Sequence, residues 1–137
     1  MQPVTLKGRV IVEGTCRAKA LVSVKPISFL GEVDPADGRI VDENHDLYGE
    51  CIKDRVLCFP HGHGSTVGSY VLYSLAKKGL APKAIVNQTA DPVVVVGAII
   101  ADILMVDQID IKRIHTGDTL EVDACKGTVR ILKHKET

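Results

Sequence analysis

The sequence predicts an α+β fold with strands near both ends of the chain and helices between them. Apolar and polar residues alternate loosely over Val4 to Val12, as they do in half-buried strands, and Ala18 to Val24 is expected to form a second strand that Pro26 ends. Near the C-terminus, Thr119 to Val122 and Thr128 to Leu132 alternate on either side of a short turn, which is typical of a β-hairpin. No repeat, low-complexity tract or linker interrupts the chain, so residues 1–137 are expected to form one domain, frayed from His134 onward.

The centre of the chain combines a buried strand with a helix. The largely apolar run Arg55 to Phe59 predicts the strand. After a short loop, Val67, Val71 and Leu75 recur at helical spacing and predict an amphipathic helix with these residues on its inner face. Gly79 should end this helix, because glycine readily adopts the left-handed conformation found after a helix C-terminus. The result is a strand, a loop and a helix in direct succession.

The loop before this helix is rich in glycine and ends in two hydroxyl side chains. Gly62 and Gly64 allow a tight turn and leave the backbone uncovered. Ser65 or Thr66 is a good N-cap for the helix. Free N–H groups and the positive end of the helix dipole meet there, so the loop is a candidate anion site. The pattern equally fits a tight connection with a capping serine, because it lacks the Lys-Ser/Thr ending of a P-loop.

A second helix is predicted to begin at Asp91 and Pro92. Aspartate is a favoured N-cap, and proline is favoured at the first helical position. The β-branched run Val93 to Ile100 would suit a strand by propensity alone. The strong cap, together with a Gly97-Ala98 pair that permits close packing, favours a helix through about Ala101.

The stretch from Ile27 to Ile40 is predicted to be a long ordered loop. Gly31, Asp34-Pro35 and Asp37-Gly38 are turn signals packed closely together. A long ordered loop in a compact domain is often functional. A surface excursion between two strands would carry the same signals, so this pattern leaves both interpretations open.

Composition argues against several classes of function. Lysine plus arginine and aspartate plus glutamate both number 17, so the net charge is zero and no strongly basic surface for nucleic acid is indicated. Aromatic residues make up only 4% and tryptophan is absent, which disfavours stacking platforms for bases. The longest apolar run, Val93 to Ala101, is too short to span a bilayer, and the chain opens with no signal-peptide pattern. A cytoplasmic protein without a nucleic-acid or membrane partner is therefore expected.

The cysteines give no sign of a metal centre held by this chain. They are Cys16, Cys51, Cys58 and Cys125, and no two form a Cys-x-x-Cys pair. Zinc or an iron–sulfur cluster held by this chain alone is therefore not expected. His45 lies in the polar segment Asp42 to Asp46, which is expected to be exposed, with the histidine solvated rather than bound to a metal.

Three separate motifs in this chain recur in the same order in one known family. They are Ser28-Phe29-x-Gly31-x-Val33-Asp34-Pro35 followed by Gly38, Asp42 and His45; Pro60-x-Gly62-x-Gly64-Ser65 opening a helix; and Asp91-Pro92 through Gly97-Ala98 and Ala101. Together they span almost the whole chain, and the combination is far more specific than any one piece. In these motifs the chain resembles the swivel domain, or small subunit, of the aconitase-X family.

The resemblance implies a swivelling β/β/α fold and a role as one half of a hydro-lyase. It implies a heterodimer with a large catalytic subunit that carries a [4Fe-4S] iron–sulfur cluster, and it implies that this chain is inactive alone. In the family, a hydroxyl group leaves on the cluster iron and a proton is taken from the neighbouring carbon. A short free-standing chain is most similar to archaeal small subunits that act on a small phosphorylated hydroxy acid, mevalonate 5-phosphate. Their product is an anhydromevalonate phosphate used in isoprenoid synthesis.

The resemblance also implies roles for individual residues. Ser65 falls where the superfamily has its catalytic serine, whose alkoxide would be stabilised at a helix N-terminus by backbone donors and the dipole. Val67 stands where true aconitases have a substrate-binding arginine, which argues against a citrate-type substrate. His63 stands where many members have arginine, as a possible anion contact. The implied substrate contacts are Gly62, His63, Gly64 and Thr66, and a possible site loop comprises Ser28, Phe29, Gly31 and Asp34.

Other functions fit parts of the sequence. The same dehydration could act on another small hydroxy acid, such as a hydroxyproline. A phosphohistidine carrier domain also swivels, and His61 and His63 lie in a glycine loop of the kind that such a carrier would use. Ser65 at the cap and the motif from Ser28 to Pro35 argue against the carrier. A purely regulatory or scaffold module is a third alternative.

Overall fold

A computed structural model describes residues 4–134, which form eight strands and two regular helices. The strands are β1 (Val4–Lys7), β2 (Arg9–Val12), β3 (Thr15–Val22), β4 (Val56–Phe59), β5 (Ala84–Asn87), β6 (Leu104–Asp107), β7 (Thr119–Asp123) and β8 (Thr128–Lys133). The helical segments are a distorted turn α1 (Phe29–Glu32), the helices α2 (Val67–Lys77) and α3 (Pro92–Ala101), and a 3₁₀ turn (Ile111–Arg113). Of the tail that was expected to fray from His134 onward, His134 is described, with its Nδ1 3.4 Å from Asp118 Oδ2, and residues 135–137 lie outside the described residues.

All eight strands belong to one sheet with the order β1-β8-β7-β3-β4-β5-β6-β2. Strands β3, β4, β5 and β6 run parallel to one another, whereas β7, β8 and β1 on one side and β2 at the other edge pair antiparallel. Strand β3 belongs to both parts, because its first residues pair with β7 and its last residues, from Ala20 to Val22, pair with β4. The long strand β3 therefore joins a parallel layer to an antiparallel layer.

Two apolar cores lie on opposite faces of the parallel strands. Leu57 and Phe59 of β4 pack in the core beneath α2 and α3, whereas Val56 and Cys58 of the same strand face the other core. That other core is closed by residues of the antiparallel strands, among them Leu120. The layers are therefore antiparallel sheet, parallel sheet and helices. This arrangement confirms the predicted α+β fold and its β/β/α order.

Both predicted helices are confirmed, with one change in the inner face of α2. Gly79 follows α2 at φ +74°, and the Leu80 N–H donates back to the Leu75 carbonyl oxygen at 2.8 Å, which closes the helix end. Val67 was predicted to face inward but is exposed, and the buried stripe instead includes Gly68 and Leu72. This stripe meets α3 closely, because a Cβ at Gly97 would lie 2.6 Å from Leu72 Cδ1.

The N-terminal strand prediction is wrong in one respect. Residues 4–12 form two strands at opposite edges of the sheet, and Gly8 separates them. A Cβ at Gly8 would overlap the Asp107 carbonyl oxygen, so only glycine passes this point without a shift. The second predicted strand ends at Val22 rather than Val24, because the Val24 N–H donates to the Asp46 carboxylate instead of a sheet partner.

Candidate active site

The glycine loop (residues 60–66) leaves the carboxyl end of β4 and leads into α2, as the sequence predicts. Its first half is held by backbone hydrogen bonds on two sides. The Pro60 carbonyl oxygen accepts the Gln88 N–H at 3.1 Å, and the His61 carbonyl oxygen accepts the Ile27 N–H at 3.3 Å. The His63 N–H in turn donates to the Ile27 carbonyl oxygen at 3.2 Å. The loop is therefore fixed between the start of the long loop and the segment after β5.

Gly62 is buried at the base of the glycine loop and touches the start of α3. Its N–H donates to Asp91 Oδ1 at 3.0 Å, while Asp91 Oδ2 accepts the N–H of Val93 at 3.2 Å as the N-cap of α3. A Cβ at Gly62 would lie 2.6 Å from Asp91 Oδ1 and would overlap Val94 Cγ2. Gly62 therefore serves close packing of backbone against α3.

An ion pair between the exposed Arg9 and the buried Asp107 supports the segment that leads into Asp91. Arg9 donates from Nε and Nη2 to the two carboxylate oxygens of Asp107 at 3.0 and 2.8 Å. Asp107 Oδ2 also accepts the N–H of Ala90, the residue before Asp91, at 3.0 Å. The hydrogen bond and the charge of Asp107 raise the pKa of Arg9 above its ordinary value. Sequence reasoning missed this support, because it joins residues 98 positions apart.

Ser65, not Thr66, caps helix α2. Ser65 Oγ accepts the Val67 N–H at 3.1 Å, and the Ser65 carbonyl oxygen accepts the Gly68 N–H at 2.9 Å. Thr66 already has helical backbone angles (φ −59°, ψ −20°), and its side chain makes no capping hydrogen bond. Ser65 and Thr66 are both exposed, so this hydroxyl pair faces solvent at an open helix N-terminus. A backbone N–H that donates to Ser65 Oγ also stabilises its deprotonated form.

Ser28 lies against the second half of the glycine loop. Gly64 has φ +89°, and a Cβ there would overlap Ser28 Oγ. The Ser28 hydroxyl donates to the Leu30 carbonyl oxygen at 2.9 Å, and its N–H donates to Glu32 Oε1 at 2.6 Å. The structure thus brings Ser28 and the Gly64–Ser65 turn together.

The other residues of the possible site loop are placed differently. Phe29 is buried and packs edge-on against Phe59, with ring centroids 6.0 Å apart, while Gly31 is exposed at φ +99°. Asp34 closes its own turn by accepting the Ala36 N–H at 2.8 Å. The carbonyl oxygen of the next residue, Pro35, accepts from Lys78 Nζ at 2.9 Å, so this turn lies beside the C-terminal end of α2. Because α2 has 11 residues, its C-terminal end lies about 16 Å from its N-terminus.

A polar cleft of about 500 Å³ opens beside the glycine loop, and its side chains carry both signs of charge. It is lined by Lys25, Pro26, Glu32, Asp42, Asn44, His45, His61 and His63. His63 Nε2 lies 3.7 Å from Glu32 Oε1, and the Asn44 N–H bond lowers the pKa of the Asp42 carboxyl below its usual range. Sequence reasoning missed Glu32; its charge between the apolar residues Phe29 and Val33 was the available signal.

His45 was expected to be solvated, and the structure shows it buried at one side of this cleft. Its Nδ1 accepts the Leu47 N–H at 3.1 Å, and its Nε2 lies 3.1 Å from the Pro26 carbonyl oxygen. These contacts make His45 a support for the segment at 42–47. The expectation was wrong because the ring turns inward to these backbone groups, while the neighbouring Asp46 stays close to it, with Oδ1 3.2 Å from His45 Nδ1.

The cysteines do not form a ligand set for an iron–sulfur cluster. In residues 4–134 the only group of histidine, cysteine and acidic side chains close enough to share an ion is His115, Asp118 and His134, without a cysteine. Cys58 is fully buried, and burial raises the pKa of its thiol well above the ordinary range. The residues present therefore do not fit such a cluster. Among the same residues, no helix is long and apolar enough to cross a membrane.

The fold and the glycine loop define a swivel domain of the aconitase type. The family described as "Aconitase X swivel domain" matches residues 5–131, and the chain belongs to this family. The crystal structure of aconitase X from Thermococcus kodakaraensis (holo-form) superposes with a TM-score of 0.93 at 49% identity, over 95% of this chain and 99% of that one. The predicted family is thereby confirmed.

Relatives with a named function give a more particular likeness. The phosphomevalonate dehydratase small subunit of Thermococcus sibiricus is 56% identical over 126 residues, 92% of this chain and 97% of that protein. The protein of the same name from Methanosarcina acetivorans is 48% identical over 138 residues, 98% of this chain and 96% of that protein. Neither the hydroxyproline alternative nor the phosphohistidine carrier is favoured by these names.

Proposed function

We propose that this chain is the small subunit of a phosphomevalonate dehydratase. In this role it helps to remove water from mevalonate 5-phosphate, which gives an anhydromevalonate phosphate for isoprenoid synthesis in the cytoplasm. The proposal is supported by family membership, by full-length similarity to small subunits of that name and by the exposed Ser65 loop. The single observation that carries the chemistry is the Val67 N–H, which donates to Ser65 Oγ at the open N-terminus of α2.

Ser65 is the proposed proton acceptor. In its alkoxide form, Oγ takes the proton from the carbon next to the hydroxyl-bearing carbon of the substrate and becomes a hydroxyl group again. The Val67 N–H and the positive end of the α2 dipole lower the free energy of the alkoxide. Helix α2 has no acidic residue in its first turn, so no carboxylate of its own opposes this charge.

The glycine loop and the neighbouring cleft are the proposed substrate contacts. The exposed turn at Gly64, Ser65 and Thr66 offers backbone N–H groups to an anionic group of the substrate. His63 borders the cleft and is half-exposed, so it can meet a second anionic group. Glu32 lies between this histidine and Ser28 and holds both in place. Asp34 closes its own turn beside the C-terminal end of α2, and its role in the possible site loop stays a prediction.

The large subunit is the proposed partner and the proposed holder of the [4Fe-4S] cluster. Helix α3 has no polar residue from Pro92 to Ala101, yet Val96 is 48% exposed and Ile99 58% exposed. A helix that is apolar on all sides is normally buried. The exposed Tyr70 and Val67 of α2 extend this surface to the Ser65 loop. We therefore assign the outer face of α2 and α3 to contact with the large subunit.

The direct test is the activity of the reconstituted complex. Purified chain and a phosphomevalonate dehydratase large subunit, loaded with its cluster under anaerobic conditions, should together convert mevalonate 5-phosphate, while this chain alone should not. A hydroxyproline offered as substrate should react far more slowly. Ile99→Glu should abolish co-elution of the two chains, whereas Tyr48→Glu, at another exposed site, should not. A folded complex that dehydrates only the hydroxyproline would contradict the proposal.

A further inference from the structure

A second polar cluster lies where the antiparallel hairpin ends, outside the glycine loop and its cleft. Asp118 comes directly before β7 and His134 directly after β8, and the pairing of Thr119 with Lys133 sets the two side by side. His115 stands three residues before Asp118, after the 3₁₀ turn. The cluster therefore results from the register of a hairpin and one short turn.

The side chains of this cluster converge. His134 Nδ1 lies 3.4 Å and His115 Nδ1 lies 3.9 Å from Asp118 Oδ2, and one ligand atom from each of the three residues lies within 4.8 Å of the others. The two imidazole rings meet edge-on, with centroids 6.4 Å apart. Residues from one turn and from the end of β8 thus direct nitrogen and oxygen atoms to one point.

Hydrogen bonds hold the backbone around the cluster. Asp118 is only 1% exposed, and its Oδ2 accepts the His115 N–H at 2.9 Å. The turn is joined to β3 by two backbone bonds, from Gly117 N–H to the Ala20 carbonyl oxygen and from Ala20 N–H to the Asp118 carbonyl oxygen, both 2.9 Å. The carboxylate is therefore fixed, while the two histidines are partly exposed and free to adjust.

We propose that His115, Asp118 and His134 bind a divalent transition-metal cation of the Zn²⁺ class. Two imidazoles and a carboxylate suit Zn²⁺ and its neighbours, and water completes the coordination in three-residue sites. Ligand atoms around a tetrahedral zinc ion lie about 3.3 Å apart, so the His134–Asp118 separation of 3.4 Å already fits, and His115, at 3.9 Å, has to move closer to Asp118. The bound ion ties the end of β8 to the turn before β7.

Sequence reasoning missed this cluster, because it considered only the cysteine spacing and His45 as signs of metal binding. Two histidines 19 positions apart show no metal-binding spacing until the hairpin register is known. The inference is independent of the dehydratase proposal, because none of its three residues belongs to the glycine loop or its cleft.

The test is zinc titration of the full 137-residue chain after treatment with a chelator. Isothermal titration calorimetry should show one tight equivalent of Zn²⁺, and the melting temperature should rise with zinc and fall again on chelation. His115→Ala and His134→Ala should each weaken binding at least tenfold and remove the thermal shift. Both histidines are partly exposed, so circular dichroism should show both variants folded.

His63→Ala is the matched control, since His63 is an exposed histidine outside the cluster. It should bind zinc with the same stoichiometry and affinity as the unchanged chain. Loss of binding in His63→Ala but not in the other two variants would overturn the assignment and move the metal to the glycine loop. Absence of zinc binding at millimolar concentration would overturn it as well.

Discussion

Two strand-to-helix connections lie side by side in this molecule, and the helices that follow them have different N-terminal caps. Strand β5 leads to α3, whose N-terminus carries the carboxylate of Asp91, accepting the Val93 N–H. Strand β4 leads to α2, whose N-terminus carries only the hydroxyl group of Ser65. Both strands are parallel and adjacent, so the two helices start at the same edge of the sheet.

The difference indicates which N-terminus is available to a ligand. A carboxylate already neutralises the positive end of the α3 dipole, so a second anion would meet repulsion there. The α2 end has no acid in its first turn and an exposed cap. Asp91 contacts both connections, because its other carboxylate oxygen accepts the Gly62 N–H of the glycine loop. The capped N-terminus of α3 thus supports the loop that leads to the exposed N-terminus of α2.

The largest expected effect is on turnover when the Ser65 hydroxyl is removed. Ser65→Ala should lower dehydration by the reconstituted complex by about 10²-fold or more, as removal of a general base typically does. Ser65→Asn keeps a good capping side chain but no hydroxyl, so it should fold normally and lose activity to the same extent. Steady-state kinetics, with circular dichroism and co-elution as folding controls, measures both.

Ser74→Ala is the control for this pair, since Ser74 lies on the same helix about 13 Å further along. It should leave turnover unchanged. Recovery of activity in Ser65→Asn would mean that capping is the whole role of Ser65 and would move the base to His63 or to the partner.

The next effect is steric and tests the contact between the two connections. Gly62→Ala should lower the free energy of unfolding by about 1–3 kcal/mol, as overpacking typically does, because its Cβ would meet Asp91 and Val94. Turnover should fall too, since the loop must shift. Gly79→Ala, at the far end of α2 with open space around it, should cost stability through left-handed strain but leave turnover intact. Urea denaturation and kinetics separate the two; equal losses of turnover would contradict the prediction.

A smaller effect on stability is expected when the Asp91 cap at the N-terminus of α3 is removed. Asp91→Ala should lower the free energy of unfolding by about 1 kcal/mol through loss of the α3 cap. It should also loosen the glycine loop, because Gly62 loses its hydrogen-bond partner. Chemical denaturation monitored by circular dichroism gives the first quantity. An unchanged midpoint would show that the capping bond adds nothing.

The smallest effect is expected at Thr66. Its side chain makes no capping bond, so Thr66→Ala should change the free energy of unfolding by less than about 0.5 kcal/mol. In the reconstituted complex it should raise KM more than it lowers kcat, because its proposed role is substrate contact. A loss of kcat as large as that of Ser65→Ala would contradict the different roles given to the two hydroxyls.

Local signals in the sequence predicted both connections correctly. Asp91-Pro92 and the run of glycines before Ser65 act over a few residues, so helix starts and the exposed loop could be inferred without the fold. The expectation of a single domain, residues 1–137, and the role of the possible site loop stay predictions.

Local sequence signals could not predict contacts between segments that are far apart in the chain. The division of the first strand at Gly8, the Arg9–Asp107 pair and the contact of Glu32 with His63 depend on which segments become neighbours. His45 shows the same limit in its burial, since its partner Pro26 lies 19 positions away, before the long loop.

The most direct test of anion binding at the N-terminus of α2 is a phosphate titration of the full chain followed by NMR. Backbone amide signals of Gly64, Ser65 and Thr66 should shift with a common saturation curve. Those of Val93 and Val94, at the capped N-terminus of α3, should not shift. The reason is that the α3 N-terminus already carries the Asp91 carboxylate, whereas α2 has no acidic residue in its first turn. Shifts at Val93 and Val94 equal to those of the glycine loop, or shifts confined to other segments, would contradict the account.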